Sequence, residues 1–331
     1  MNERSHRLDQ WLDQSGYHNY RLQRASEDAS FRSYLRLETG SQSLIVMDAP
    51  PENEPCDRFI AVAKKLRAAG LNAPQIVASN LEDGFLLLTD FGSLDYLSQL
   101  NPQTEGQLYA DALAALLTMQ IKADKADLPD YDEALLLREL DLFHDWFLIE
   151  LLGIELNASQ QSIWQETRQM LVDNALGQPQ VFVHRDYHSR NLMVVDQHNP
   201  GILDFQDAVS GPLTYDLVSL LRDCYIAWPI ERVEQLALGY HDSVRARELV
   251  DVDARQFMRW FNLMGIQRHL KVAGIFSRLK IRDGKSRYLI DIPLTLAYLQ
   301  QVSALETSTA GLSALLEQLS VQQRVASLLE G

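Results

Sequence analysis

The sequence predicts an α+β chain in two lobes, a β-rich lobe over 1–92 and a mostly helical lobe over 93–331. Three observations predict it. Before residue 93, short apolar runs alternate with polar turns; after it, apolar residues recur at helical spacing over long stretches. A group of short apolar runs at 181–183, 192–195 and 202–203 then interrupts the helices. The length, 331 residues, allows two lobes and a sizeable core.

Taken in order, Leu8, Trp11 and Leu12 sit at helical spacing ahead of Gly16, which predicts a leading helix over 5–14. Residues 20–25 read as a strand. The polar turn Ser26-Glu27-Asp28-Ala29-Ser30-Phe31-Arg32 follows, then Tyr34, Leu35 and Leu37 and a strand over 43–47. Such a small-residue tip can lie over phosphates and donate backbone amides; an ordinary hairpin would show the same residues. Ala49 to Pro55 reads as a rigid loop. Phe59, Ile60, Ala63 and Leu66 share one helix face over 57–69, closed by Gly70. Residues 74–78 and 85–88 read as strands, and Thr89-Asp90-Phe91-Gly92 as the hinge into a helical run from Ser93. Helices follow over 108–121, 135–152 and 160–176, the second strongly apolar. Gly211-Pro212 reads as a turn. A helix starts at Tyr215, where Asp216 either caps it or braces the preceding loop, and helices continue to the end.

The chemistry concentrates in 181–207, VFVHRDYHSRNLMVVDQHNPGILDFQD. His184-Arg185-Asp186, four residues and Asn191 make the catalytic-loop spacing of kinases. Asp204 follows the next apolar run, so its carboxylate can face Asn191. Asp186 is the candidate catalytic residue, able to orient or accept a hydroxyl proton. Asn191 and Asp204 supply the hard oxygens that Mg²⁺ takes beside a triphosphate. A buried polar turn is the plainer alternative. Asp90-Phe91-Gly92 spells the kinase metal motif too, but it precedes the loop, and Asp204 is the better metal candidate.

Composition narrows the class. Net charge is −15, which argues against a nucleic-acid or membrane-surface binder. Cys56 and Cys224 are far apart and outside any CxxC, so neither a disulfide framework nor a zinc site is expected. No apolar run approaches a membrane span, and the first residues lack an apolar signal core, which predicts a cytoplasmic protein. His188 and His198 lack a clustered metal-binding pattern. Ser277 to Lys280 fits SxxK without its companion motifs, and Asp283-Gly284-Lys285-Ser286 lacks the first glycine of a P-loop. Residues 268–287 hold Arg268, Lys271, Arg278, Lys280, Arg282, Lys285 and Arg287 against Asp283 alone. That run is either a solvated, paired face or an anion-recognition surface for a sugar carboxylate or a partner.

The hinge-like Leu86 to Gly92, HRDYHSRN and ILDFQDA together resemble the aminoglycoside phosphotransferase-like kinases, over nearly the whole chain. Gln206 in place of a glycine after Asp204-Phe205, and the missing Ala-Pro-Glu, separate it from protein kinases proper. DASFR at 28–32, VMDAPP at 46–51, LRDCY at 221–225, QRHLK at 267–271, GIF at 274–276 and RDGK at 282–285 resemble the branch that phosphorylates the anomeric hydroxyl of N-acetylmuramate or N-acetylglucosamine in cell-wall recycling. The resemblance implies a protein-kinase-like bilobal fold, with a β-rich N-lobe and a mostly helical C-lobe. It implies ATP and Mg²⁺ as cofactors and a small amino sugar as substrate, with no obligate protein partner. Adenine would meet the hinge at Thr89 and Asp90, and phosphates the turn with Ser30 and Arg32. His188, Arg222 and Arg268 join Asp186 as substrate candidates. The strand lysine and helix glutamate of kinases align with Met47 and Phe59, so phosphate neutralisation falls to another cation, Arg32 before Lys64 or Lys65. A kinase of aminoglycosides or other amino alcohols, and a nucleotide-binding pseudokinase scaffold, are the alternatives.

Overall fold

A computed structural model describes residues 3–26, 32–40 and 42–330. Two compact units form, Met1–Asp124 with Arg190–Asp207, and Lys125–Ser189 with Ala208–Gly331.

The first unit opens with α1 (Glu3–Gln14) and a five-stranded antiparallel sheet. Its strands are β1 (Arg21–Ser26), β2 (Ser33–Thr39), β3 (Gln42–Asp48), β4 (Ile76–Asn80) and β5 (Phe85–Thr89), in the order β1-β2-β3-β5-β4. Strand side chains alternate between faces. Leu44 and Val46 therefore join Leu37, Phe85 and Leu87 in one cluster with Leu8, Trp11 and Leu12 of α1. Met47, fully buried, takes the opposite phase. Helix α2 (Asp57–Ala68) lies between β3 and β4 in sequence; α3 (Tyr96–Gln99) and α4 (Glu105–Lys122) follow the sheet. The composition shift at residue 93 thus marks the end of β5.

The second unit is helical. Its elements are α5 (Glu133–Leu142), a π-helical segment (Phe143–Leu151), α6 (Ala158–Leu176), α7 (Tyr215–Leu221), α8 (Ile230–Arg245), α9 (Ala254–Ile281), α10 (Ile292–Leu305), α11 (Ala310–Gln318) and α12 (Val321–Glu330). The 28-residue α9 is the axis: α5, the π segment, α6, α7, α8 and α10 all pack on it. Among the described residues, no helix is long and apolar enough to cross a membrane.

Three expectations change. The helix over 135–152 is α5 followed by the wider π turns. At that junction Gly274 of α9 meets backbone: a Cβ there would stand 2.3 Å from the Leu142 carbonyl carbon. Gly211 and Pro212 lie in a strand, β9 (Val209–Pro212), paired antiparallel with β6 (Gln180–Val183). Both strands of a two-stranded ribbon are edges, where a proline without an N–H is tolerated. The run 192–195 shortens to β7 (Leu192–Met193), paired with β8 (Gly201–Ile202).

Candidate active site

In the second unit, β6 delivers the chain to His184, and two buried carboxylates hold the loop that follows. Asp216, in the first turn of α7, accepts from the backbone N–H of His184 at 2.6 Å and of Arg185 at 3.0 Å. Asp223, just past α7, accepts from the Ser189 N–H at 2.9 Å and from the Ser189 hydroxyl. Its other oxygen accepts from the Tyr225 N–H at 3.0 Å. Between these anchors Arg185 is held at φ +77°, strained for a side chain of its size. Burial, against the pull of those two N–H groups and with the nearby Asp186 charge adding to it, pushes the Asp216 carboxyl up to about 7.

Asp186, partly exposed at this loop, sits among cations. Burial pushes its carboxyl up, but Lys271, His188, Arg185 and Arg268, in that order, pull it below the usual range. Lys271 and Arg185 share one counter-ion. The buried Glu139 of α5 takes Lys271 Nζ at 2.9 Å and is bonded by Arg185 and by the Tyr131 hydroxyl. Lys271 also donates to the Tyr215 hydroxyl at 2.9 Å. Burial raises and the two cations lower the Glu139 carboxyl, with a net fall. A carboxylate kept ionised at a kinase-type loop is equipped to orient a hydroxyl and take its proton.

In the first unit, the β7–β8 hairpin carries Asn191 and Asp204. The Leu203 N–H donates to the Asn191 carbonyl at 2.9 Å, Asn191 Nδ2 reaches Asp204 Oδ2 at 3.3 Å, and Gln206 Nε2 donates to Asp204 Oδ1 at 2.8 Å. Asp204 stands at φ +62°. The hairpin is tied down by Asn199, whose Nδ2 donates to the Tyr96 hydroxyl at 2.7 Å and to Asp111 at 2.8 Å. Gly201 lies under the Phe91 ring, where a Cβ would come within 2.7 Å. Phe205 packs on Phe59 of α2, ring centroids 4.8 Å apart. An aromatic contact thus braces the residue that follows Asp204. Among the described residues, no three His, Cys, Asp or Glu side chains gather as a metal cage. One carboxylate beside one amide fits a hard cation that takes its remaining oxygens from phosphates and water.

The other expected residues sort differently. Arg32 is buried and paired with Glu54 at 2.6 Å, and Lys65 is paired with Asp124 at 2.7 Å. Ser30 lies outside the described residues. The Thr89 hydroxyl accepts from the Gln75 N–H at 3.0 Å. Asp90 is held by Arg36 at 2.6 Å, by Ser43 and by the Gly92 N–H at 2.8 Å, so its carboxylate is structural. His188 stacks edge-on with Tyr225 at 5.4 Å. Arg268 stands near Asp186. Arg222 instead turns to Asn262, at 2.7 Å, and lies over the Phe261 ring. The basic run therefore splits: Arg268 and Lys271 are buried, whereas Arg282 is exposed and paired with Asp283 at 2.7 Å. Glu139 helps carry the loop and is absent from the sequence candidates, whereas Lys271 and Asp223 appear there only within the basic run and the LRDCY stretch.

A β-sheet unit, a helical unit and an HRD loop with separate Asn and Asp define a kinase-type phosphotransferase. The chain matches the family model described as "Phosphotransferase enzyme family" over residues 21–261 and belongs to that family. It is 48% identical over 297 residues to the N-acetylmuramate/N-acetylglucosamine kinase of Pseudomonas aeruginosa, covering 89% of this chain and 87% of that one. The protein of that name from Neisseria meningitidis is 41% identical over 326 residues, covering 96% of each. In fold the chain is similar to choline kinase from Cryptosporidium parvum, with TM-score 0.64 and 11% identity over 94% of this chain and 99% of that one. An ADP-bound aminoglycoside phosphotransferase gives TM-score 0.58 and 14% identity over 89% and 97%.

Proposed function

We propose that the protein transfers the γ-phosphate of ATP to the anomeric hydroxyl of N-acetylmuramate and N-acetylglucosamine, in the cytoplasm and as part of peptidoglycan recycling. The observation that carries this reading is the identity to kinases of that name across nearly the full chain. The cation-flanked Asp186 supports it, because an ionised carboxylate at the loop is what transfer to a hydroxyl requires. Asp186 orients the sugar hydroxyl and takes its proton late in a loose transition state. Asn191 and Asp204 hold Mg²⁺, which supplies charge neutralisation on the phosphates. Backbone groups at Thr89 and Asp90 meet the base, and Arg32 and Ser30 belong to the phosphate-covering turn of the 1–92 lobe.

The test is Asp186→Asn with both sugars. Turnover is expected to fall on the order of 10²–10⁴-fold, with ATP binding kept by calorimetry and the product identified as a C1 phosphate by ³¹P NMR. Near-normal phosphorylation by this variant would sink the assignment. A wild-type protein that turns over choline or kanamycin but neither amino sugar would sink the acceptor.

A further inference from the structure

Arg268 is 3% exposed on α9, yet its Nε and Nη1 have no hydrogen-bond partner. A guanidinium cannot shed its charge as a buried lysine can. A buried charge without an anion is costly. Asp186 and Asp223 are close enough to act on its charge, but neither is in hydrogen-bond contact with Nε or Nη1. Asp223 accepts from Ser189 and Tyr225. Glu139 is taken by Lys271, Arg185 and Tyr131. The Cys224 thiol is pushed up to about 12 by burial, so it stays neutral. Arg222, the other deeply buried arginine of this region, gives Nη2 to Asn262 and lies over the Phe261 ring while its Nη1 also lacks a partner, but it is Arg268 that stands near Asp186. Two donors beside Asp186 thus stand open to an anion from outside the chain.

We propose that Arg268 recognises the carboxylate of the acceptor, pairing the lactyl group of N-acetylmuramate through its guanidinium fork. The inference rests on the amino-sugar reading given above. Arginine's planar fork matches a carboxylate with two parallel bonds, which a lysine cannot supply. The lactyl ether is on C3 of the same ring whose C1 hydroxyl reacts, so a cation near Asp186 is in the neighbourhood of both. N-acetylglucosamine has a hydroxyl at C3 and offers Arg268 no charge.

The experiment compares wild type, Arg268→Met and Arg268→Lys on N-acetylmuramate, its carboxamide and N-acetylglucosamine. Arg268→Met is expected to lower kcat/KM for N-acetylmuramate about 100-fold, as loss of a charge-assisted pair does, and the loss on N-acetylglucosamine is at least about tenfold smaller. Arg268→Lys recovers only part of the loss. In wild type the carboxamide should react like the uncharged sugar, and in Arg268→Met the acid and its amide should converge. Equal losses on both sugars, or a wild type indifferent to the carboxamide change, would overturn the proposal. The second comparison needs no variant, so it decides even if Arg268→Met fails to fold. A wild type inactive on both sugars would instead overturn the acceptor reading beneath it.

Discussion

Glu139 is the residue on which the charge balance of the 184–189 loop turns. It is one anion for two cations, Arg185 and Lys271, and those cations in turn help hold Asp186 ionised. Removing it leaves two positive groups facing each other in a buried place. Glu139→Gln should lower unfolding free energy by about 3–5 kcal/mol, read by urea titration, and Glu139→Gln with Lys271→Met should recover part of that. The Glu139 carboxyl is held below its ordinary value of 4.5, so its contribution is present above that value. It is lost as pH falls through the lower folded value. Lys271→Met alone has a kinetic signature. With the cation that lowers it most gone, Asp186 protonates at higher pH, and the acid limb of the kcat/KM profile should move up by about 1 unit or more. An unmoved limb would detach Lys271 from Asp186.

Helix α7 shows how a short element can set a site. All seven of its residues are buried, and a carboxylate at each end grips the loop, Asp216 at His184 and Arg185, Asp223 at Ser189. Asp216→Asn turns one of two acceptor oxygens into a donor against a backbone N–H. Turnover should fall about 100-fold through misplacement of Asp186, with KM for ATP little changed. The same variant carries a stability signature. Asp216 ionises at its ordinary 3.8 when unfolded and at about 7 when folded. Its contribution is therefore full below 3.8 and lost as pH rises toward 7. Asp216→Asn should flatten that part of the stability profile, measured by denaturant unfolding at fixed pH steps. Helix α9 is constrained in another way. Gly274→Ala would drive a Cβ into the Leu142 backbone, which a rotamer change cannot relieve. A loss of about 1–3 kcal/mol is expected, and turnover should fall with it, since α9 carries Arg268 and Lys271.

At the scale of the molecule, the legible parts were those written in local sequence. Asp186, Asn191 and Asp204 stand out because a strained loop and a short hairpin need particular residues at fixed spacing. The sheet before residue 93 stands out because strands there are short and punctuated. Glu139 does not stand out, because it is one of several charges on its helix, and Lys271 reads only as one member of a basic run; their pairing joins helices distant in sequence. The sequence does not rank Arg222, at the end of α7, against Arg268, on α9, because helices buried on all sides give no phase to their polar residues. Gly211-Pro212 reads as a turn until β6 is there to pair with it. The resemblance to kinases puts Met47 and Phe59 where those enzymes carry their ion pair. Met47 is fully buried, its cross-strand neighbours are Tyr34 and Leu86, and Phe59 is committed to Phe205. A lysine at 47 would find no acid at the residue aligned with the kinase glutamate. Met47→Lys should therefore cost about 3 kcal/mol or more of stability, or neutralise the new amine, and should not tighten ATP binding by calorimetry. A variant as stable as wild type with tighter ATP binding would mean that phosphate neutralisation had merely lacked its usual lysine. The expected result means that the aromatic brace beside Asp204 and a buried lysine at 47 are alternative solutions.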